Sequence, residues 1–431
     1  MTLNKNFFAI SYLVLLTISI YTPQFDVYDK MSIQYLLMSI SNIIAIIGFP
    51  FLFDKKELLR PLKHPLILFS LGYLIMGILS MIKSINIIES YVELGQVITF
   101  IITLFLLIFL VYERLIKINQ ILIILTITLL IDIAFSLGAY LQFVFNDVPY
   151  TLEENWRLVG QYGNRNILAT VLSFKIPLVI ILALRLKKNY MYIITFIILT
   201  LSFFNIALLS SRATYLAIIT CIAFIFVISL IKYIKERTNI FSVNKSIILL
   251  YLIPCLIAYI MSFKAIDPGP QGNVVSRIAT ITSTNDSSKN TRLRYYAQSL
   301  THISKNPLLG AGIGNWKILS IKYDSENIQN YIIPYNAHND ILEATAETGI
   351  IGGLSFLLFF LLILYYLYQL LIINIFTIDK YSYTLLLILP FLVYFIDLNL
   401  NFPSARPANQ FFLLMYICII LSFKMKMNEE K

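Results

Sequence analysis

The sequence predicts an all-α polytopic membrane protein with about twelve transmembrane helices and one large external loop. Of its 431 residues, 58% are hydrophobic and only 13% are charged, and the mean hydropathy is +0.79. A soluble protein needs a more highly charged surface than this, and a disordered chain contains far fewer apolar residues. Because a helix of about 20 apolar residues crosses a bilayer, the chain has room for a dozen.

Twelve apolar runs are long enough to span a membrane. The first resembles a signal peptide but lacks a cleavage site of small residues, so we expect a retained helix. The runs divide the chain into helices one to nine at 1–263, an external loop at 264–338, and three further helices with a cytoplasmic tail at 339–431. They are Leu3–Tyr21, Ile33–Phe53, Pro65–Ile82, Tyr91–Tyr112, Ile118–Phe145, Asn166–Leu184, Tyr190–Leu209, Ala213–Ile234, Ser246–Phe263, Ile350–Ile375, Tyr381–Leu398 and Ala408–Phe423.

The positive charges predict the orientation of these helices. Lys and Arg cluster in the connections after the second, fourth, sixth and eighth runs, whereas the intervening loops are acidic or poor in cations. Cytoplasmic loops carry the excess of Lys and Arg, so both termini are expected in the cytoplasm. The formal net charge of +10 follows from this rule and does not indicate a nucleic-acid partner.

The external loop at 264–338 is expected to form a small cap with a helix near 291–306, closed by Pro307. Its GAGIGNW turn at 310–316 has no strand before it, so it does not predict a dinucleotide site. The sequence contains no Walker loop, no HExxH and no acidic cluster spaced for a metal, and we expect no cofactor, no metal and no ATP. Three cysteines are expected to be small core residues, namely Cys221, Cys255 and Cys418.

Two groups of arginines are candidates for binding an anion. Arg212, in the segment SSRATYLA, falls at the start of a membrane helix, where a cation is either functional or reaches out to lipid headgroups. Arg292 and Arg294 lie in the external loop beside Tyr295 and Tyr296. Guanidinium groups suit diphosphate oxygens, although such a segment alone is more often a solvated helix face.

His338 is the candidate general base. Asp340 and Glu343 form a capping-box pattern, which predicts that a helix begins just after Asp340 and ends at Gly349. His338 would then lie before a helix N-terminus, whose dipole disfavours protonation of the imidazole. We expect Glu343 and Glu347, four residues apart, to form one wet face of that helix.

Three charged residues within predicted spans allow two interpretations. They would line a transport path, or they would pair with one another inside the protein. The sequence does not separate these alternatives for Asp132, Lys175 and Asp397.

The spacing around His338 resembles the signature of the O-antigen ligase superfamily, which also includes O-antigen polymerases and bacterial protein O-oligosaccharyltransferases. His338 and Asn339 are followed after nine residues by Gly349 and then by Gly352. Four further segments resemble family motifs in the same order. They are GNRNILA at 163–169, SSRATYLA at 210–217, NPLLGAGIGNW at 306–316 and NFPSARPANQFFLL at 401–414. Two departures are Arg165, where the family often has proline, and Tyr296, where tryptophan is common.

The resemblance implies a metal-independent glycosyltransferase in the bacterial inner membrane, with its active site on the periplasmic side. Arg212 and Arg292 would hold the diphosphate of an undecaprenyl-diphosphate-linked glycan donor, with Arg294 as a weaker addition. His338 would activate or orient the acceptor hydroxyl. Arg406, Asn339 and Tyr296 would contribute to substrate binding.

Ligation of O-antigen to lipid A-core is the function that this resemblance favours. A repeat-unit polymerase for O-antigen or capsule and a protein O-oligosaccharyltransferase share the donor chemistry, so the motifs barely separate them. A polysaccharide flippase or transporter is the alternative of another class. The sequence leaves the sugar, the acceptor and the oligomeric state open.

Overall fold

The structure is a computed structural model and describes residues 4–23, 31–236, 247–269, 272–279, 287–328, 333–374 and 378–429. Within these ranges the regular secondary structure is helical, and the only β-type pairing of the described residues is an isolated bridge between Gly269 and Gly272. The α-helices are α1 Lys5–Ile20, α2 Ser32–Gly48, α3 Lys55–Leu59, α4 Pro65–Ser80, α5 Ile87–Tyr112, α6 Ile118–Phe145, α7 Arg165–Leu186, α8 Asn189–Leu209, α9 Arg212–Glu236, α10 Ile253–Ala265, α11 Val274–Ala279, α12 Ser287–Lys305, α13 Trp316–Asp324, α14 Asp340–Asn374, α15 Ile378–Leu400 and α16 Pro407–Glu429.

The predicted class, an all-α polytopic membrane protein, is confirmed. Eleven helical segments of the described chain are long and apolar enough to cross a membrane, and they coincide with the second to twelfth predicted runs. The first run forms α1, a shorter apolar helix of 16 residues. Parts of the predicted external loop (270–271, 280–286 and 329–332) and the cationic connection 237–246 lie outside the described residues.

The described chain groups into two compact units. The first comprises Met1–Ile118, Ser287–Tyr366 and Leu398–Lys431. In it, α5 packs against α2, α4 and α16, and the buried side chains of α5 and α16 form the centre of the unit. The exposed faces of α2 and α4 remain apolar, as expected for helices that contact lipid.

The second unit comprises Asn119–Asp286 and Leu367–Asp397. Its centre is α7, in which every residue from Ile167 to Ala183 is buried, so the protein surrounds this helix on all sides. Helix α8 packs against α7 and α10, and α9 also contacts α7. A short π-helix at Ile248–Leu252 leads into α10.

Gly349 divides α14 into a short N-terminal part and the membrane span. Its backbone is non-helical, with φ of 76° and ψ of 176°. A side chain at this position would meet the carbonyl of Leu308, 2.1 Å from the place of a Cβ atom. The predicted break at Gly349 is therefore confirmed, and glycine is required there by both backbone conformation and space.

Candidate functional site

Helix α12 supplies two of the predicted site residues from one face. Arg292 and Tyr296 are four residues apart and therefore point the same way. The guanidinium Nη2 of Arg292 donates to Oδ1 of Asn401 over 3.2 Å. The hydroxyl of Tyr296 lies 2.6 Å from the carbonyl oxygen of Asn399 and 3.0 Å from that of His338. Through these contacts, one face of α12 binds the C-terminal end of α15 around Asn399 and Asn401. It also binds His338, which lies just before α14.

His338 is held in a left-handed backbone conformation between two aromatic rings. Its φ is 57°, which is uncommon for a residue other than glycine. The Tyr295 ring stacks on the imidazole at 6.2 Å between centroids, and the Phe402 ring meets it edge-on at 5.2 Å. Nδ1 is buried and has no hydrogen-bond partner among the described residues. A constrained backbone that the surroundings impose is a frequent feature of functional sites.

The environment keeps the His338 imidazole neutral. Its pKa is lowered from 6.5 to about 4, first by burial and then by the positive charge of Arg292, while a hydrogen bond with the Leu400 backbone acts in the opposite direction. At neutral pH the ring therefore carries one proton and one available lone pair. This is the form that accepts a proton or a hydrogen bond from a hydroxyl group.

Asn339, and not Asp340, caps the helix that follows His338. The side-chain oxygen of Asn339 accepts from the backbone nitrogen of Leu342 at 3.0 Å, and α14 begins at Asp340. The predicted cap was therefore wrong by one residue. The carboxylate of Asp340 instead accepts from the backbone nitrogen of Ser404 at 2.8 Å, which ties α14 to the segment after α15. The amide group of Asn339 donates to Asn399 over 3.3 Å.

The prediction that Glu343 and Glu347 form a wet face was also wrong. Glu347 is only 6% exposed, and its carboxylate accepts from the backbone nitrogen of Trp316 at 2.9 Å. Glu343 accepts from the backbone nitrogen of Ala337 at 2.6 Å and from the side-chain amide of Asn336 at 3.2 Å. Both carboxylates face inward because they satisfy backbone donors that turns leave without partners.

Arg294 forms an ion pair with Asp324 and lies over the Tyr295 ring, 5.6 Å from its centroid. Its guanidinium contacts both carboxylate oxygens of Asp324, at 2.7 and 3.2 Å, and Gln298 donates to the same carboxylate. The hydrogen bond with Asp324 raises the pKa of Arg294. Since Asp324 is buried, this arginine supplies its counter-charge and joins α12 to α13.

Arg406 is separated from the His338 imidazole by the Phe402 ring. Its guanidinium sits 5.1 Å above the Phe402 ring, and Phe402 in turn contacts His338. The first unit therefore brings Arg292, Tyr296, His338 and Asn339 into one hydrogen-bonded and electrostatically coupled group, with Arg406 at its edge.

Arg212 belongs to the second unit and begins helix α9. The preceding helix α8 ends at Leu209, and Ser210 reverses the chain with φ of 51°. The hydroxyl of Ser211 accepts from the backbone nitrogen of Thr214, which caps α9. Arg212 is half-buried at this helix start, as its place in SSRATYLA predicts.

Two of the three charged residues within the spans form an ion pair inside the second unit, and the third accepts a hydrogen bond there. Lys175 and Asp132 form a fully buried ion pair of 2.6 Å, and Tyr162 donates to the other Asp132 oxygen at 3.0 Å. Thr170 donates to Asp397 at 2.9 Å. Of the two interpretations that the sequence left open, internal pairing is the one that the contacts support.

Comparison with known proteins adds a family to this geometry. The family model described as O-antigen ligase matches residues 196–357. This match confirms the resemblance to the O-antigen ligase and polymerase superfamily. The matched residues include Arg212, Arg292 and His338, whereas Arg406 lies beyond them. No curated protein matches the chain.

Several residues around His338 were not predicted as part of the site. Asn401 and Phe402 come from the segment 401–414, in which only Arg406 was singled out, and Asn399 lies at the end of α15. Glu343 and Asp340 were treated as helix-surface and cap residues. A usable signal was present in the asparagines on either side of Leu400, since paired amides at a helix end commonly bind backbone or side-chain groups nearby.

Proposed function

We propose that the protein transfers a glycan from undecaprenyl diphosphate to an acceptor hydroxyl, and that the acceptor is lipid A-core. The observation that carries the proposal is the neutral imidazole of His338 beside the Arg292 guanidinium. An uncharged base next to a fixed cation suits a reaction in which a hydroxyl loses a proton while a diphosphate leaves.

In the proposed reaction, the acceptor oxygen attacks the anomeric carbon of the first sugar. A new carbon–oxygen bond forms there as the bond to the diphosphate oxygen breaks, so the anomeric configuration inverts. The hydroxyl proton passes to the His338 imidazole, and undecaprenyl diphosphate leaves with the electron pair. Because the donor is already activated, the reaction requires no ATP.

Arg292 is the proposed ligand of the departing diphosphate. Its guanidinium is half-buried and oriented by Asn401, which fixes the charge before substrate arrives. Preorganised donors that meet developing negative charge stabilise a transition state without further rearrangement. Arg212 is proposed as a second ligand on the strength of the family resemblance. We propose that no metal takes part, since guanidinium groups supply the positive charge.

Asn339, Tyr296 and Arg406 are proposed to position substrate around the imidazole. Tyr296 and Asn339 fix the backbone on both sides of it, and Arg406 lies over Phe402 at the edge of the group. Arg294 is the weakest of the proposed diphosphate ligands because its guanidinium is paired with the buried carboxylate of Asp324. The proposed location is the bacterial inner membrane, with both termini in the cytoplasm and this site on the periplasmic side.

A deletion strain tests the acceptor. Loss of a ligase leaves long glycan on the carrier lipid and bare lipid A-core, which gel analysis of the glycolipids and mass spectrometry of the carrier detect. Single repeat units on the core would identify a polymerase and overturn the ligase assignment. Loss of glycan from envelope proteins alone would identify a protein glycosyltransferase.

A further inference from the structure

Three aromatic rings with a cation at each end form a row in the first unit, which we call the cation–ring row. In order, its members are Arg60, Tyr112, His64, Tyr366 and Lys424. The Arg60 guanidinium lies 5.0 Å from the centroid of the Tyr112 ring, and the His64 imidazole is 6.1 Å from both tyrosine rings. The Lys424 ammonium lies 3.6 Å from the centroid of Tyr366. Four separate segments of the chain therefore converge here.

The cation–ring row lies at the ends of the membrane spans that are opposite the candidate functional site. Pro65, next to His64, begins the α4 span, and Tyr112 ends the α5 span. The other end of α4 carries Ser80, whose hydroxyl accepts a hydrogen bond from the backbone nitrogen of Ile313 in the predicted external loop. The row is therefore at the level of the lipid headgroups, on the side of the membrane that we propose to be cytoplasmic.

The two cations of the row have no acidic partner. Within the described part of the chain, neither Arg60 nor Lys424 has a carboxylate within ion-pair distance. The acids nearest to them in sequence are engaged elsewhere, since Glu57 accepts from the backbone nitrogen that precedes α3 and Glu429 pairs with Arg114. A ring contact attracts a cation but leaves its N–H groups without acceptors. The row thus offers hydrogen-bond donors and positive charge to an anion.

His64 adds a further donor at the centre of the row. Its side chain is only 6% exposed, and its Nδ1 accepts from the backbone nitrogen of Leu66 at 3.2 Å. The pKa of His64 is lowered from 6.5 to about 4, first by burial and then by the positive charge of Lys424. The ring is therefore neutral at pH 7, and its single proton is on Nε2. Nε2 can donate to an anion without adding a third positive charge.

Exposed leucines beside these cations indicate a lipid rather than a soluble anion. Leu59 and Leu62, on either side of Arg60, are 45% and 43% exposed, and Leu68 in the first turn of α4 is 54% exposed. Acyl chains next to a phosphate headgroup would contact these apolar side chains, whereas a soluble phosphate would not. Basic pockets between membrane helices on the cytoplasmic side are suited to anionic lipid headgroups.

We propose that the cation–ring row binds an anionic phospholipid of the inner leaflet, with Arg60 and Lys424 as counter-charges of its phosphate and Nε2 of His64 as a further donor. The acyl chains of this lipid lie against Leu62 and Leu68. The site is independent of the proposed transfer reaction, because it lies at the opposite ends of the membrane spans. Its lipid joins the end of α16 to the segment before α4.

Photocrosslinking of the full-length protein in phosphatidylcholine vesicles tests this site. The probe is phosphatidylglycerol with a diazirine near the ester end of one acyl chain. We expect crosslinked peptides from residues 59–68 and from the end of α16. Unlabelled phosphatidylglycerol should compete with the probe, whereas phosphatidylethanolamine and inorganic phosphate should not.

Substitution of the two cations tests their role in the same assay. Arg60→Gln and Lys424→Gln should each lower the yield at these peptides roughly fivefold, which corresponds to about 1 kcal/mol for one cation near an anionic headgroup. Lys188→Gln is the matched control, because Lys188 also lies over a tyrosine ring, 5.7 Å from the centroid of Tyr190, but in the second unit. It should leave the yield unchanged. Arg60 is exposed, so Arg60→Gln tests the site even if Lys424→Gln does not fold.

Several results would overturn the proposal. Crosslinks without enrichment at these peptides, or an unchanged yield in Arg60→Gln, would show that the cation–ring row does not hold the lipid. An equal loss in Lys188→Gln would show attraction to surface charge in general. Equal competition by phosphatidylethanolamine would remove the requirement for an anionic headgroup, and equal competition by inorganic phosphate would show a site for a soluble anion instead of a lipid.

Discussion

The carboxylate of Glu343 accepts a hydrogen bond from the backbone amide of Ala337, with 2.6 Å between the oxygen and the nitrogen. Ala337 directly precedes His338, whose backbone is left-handed. The contact therefore fixes the turn that presents the imidazole, although Glu343 itself is five residues further along the chain. It makes Glu343 a positioning residue in the proposed site.

Replacement of Glu343 tests this positioning. Glu343→Leu removes the acceptor and leaves a buried amide without a partner, which should cost about 1–3 kcal/mol of stability. We expect a lower kcat with little change in KM for the donor, because the imidazole is misplaced while the diphosphate ligands remain. Glu343→Gln keeps one acceptor oxygen and should recover part of the rate. An unchanged kcat in Glu343→Leu would contradict the role.

The pH dependence of transfer tests the protonation state of His338. The reaction needs the neutral imidazole, which is present above its pKa and lost as pH falls through about 4. We therefore expect the titration of His338 to cause no change in kcat between about pH 6 and pH 8. Arg292→Gln removes a charge that lowers the pKa, so the acidic limb should move to higher pH. An acidic limb at the same or a lower pH in this variant would contradict the effect of Arg292 on the His338 pKa.

Tyr296→Phe tests whether the Tyr296 hydroxyl holds the backbone at His338 in place. The variant loses the hydroxyl that lies against the carbonyl oxygens of His338 and Asn399. The expected loss of unfolding free energy is about 0.5–1.5 kcal/mol, accompanied by a fall in kcat. Tyr335→Phe is a matched control, since Tyr335 is 57% exposed. Equal effects of the two substitutions on thermal stability and rate would contradict this role of the Tyr296 hydroxyl.

We expect Arg292 and Arg294 to have different functions, although they are only two residues apart. Arg294→Gln leaves the buried carboxylate of Asp324 without its ion pair, so we expect a loss of thermal stability. Asp324→Asn should have a comparable effect, and the double variant should be less unstable than the sum. Arg292→Gln should instead lower transfer at nearly unchanged stability. The reverse pattern would assign the diphosphate to Arg294.

The buried pair Lys175 and Asp132 tests the transporter alternative. Lys175→Met leaves an unpaired buried charge and should destabilise the protein by about 3–5 kcal/mol. Adding Asp132→Leu removes that charge and should restore much of the stability and the transfer activity. If the double variant is well folded but cells lose glycolipid translocation, the pair belongs to a transport path.

The sequence predicted the helices well because lipid imposes a simple rule on them. Any span must be long, apolar and internally hydrogen-bonded, so the runs are visible without tertiary information. Gly349 was predictable from its place between the capping-box pattern at Asp340 and the apolar run that begins at Ile350, where the family signature also has glycine.

The surroundings of the site were harder to predict because they depend on long-range contacts. Glu343 and Glu347 have the spacing of a solvated face, but Glu343 is half-buried and Glu347 is buried, and they accept hydrogen bonds from the backbones of Ala337 and Trp316. The contact of Arg294 with Asp324 spans thirty residues, and no local pattern distinguishes it from Arg292. The buried pair of Lys175 with Asp132 likewise needed the packing of α6 and α7 to choose between two open interpretations.

The most direct test is transfer by the purified protein in vesicles, with a fluorescent glycan on undecaprenyl diphosphate, lipid A-core as acceptor, EDTA present, and neither ATP nor an ion gradient. The wild-type protein should form glycosylated acceptor and release undecaprenyl diphosphate. His338→Ala, inserted in the membrane to the same level, should form almost none. Equal product from His338→Ala, or glycolipid translocation without any covalent product, would contradict the account.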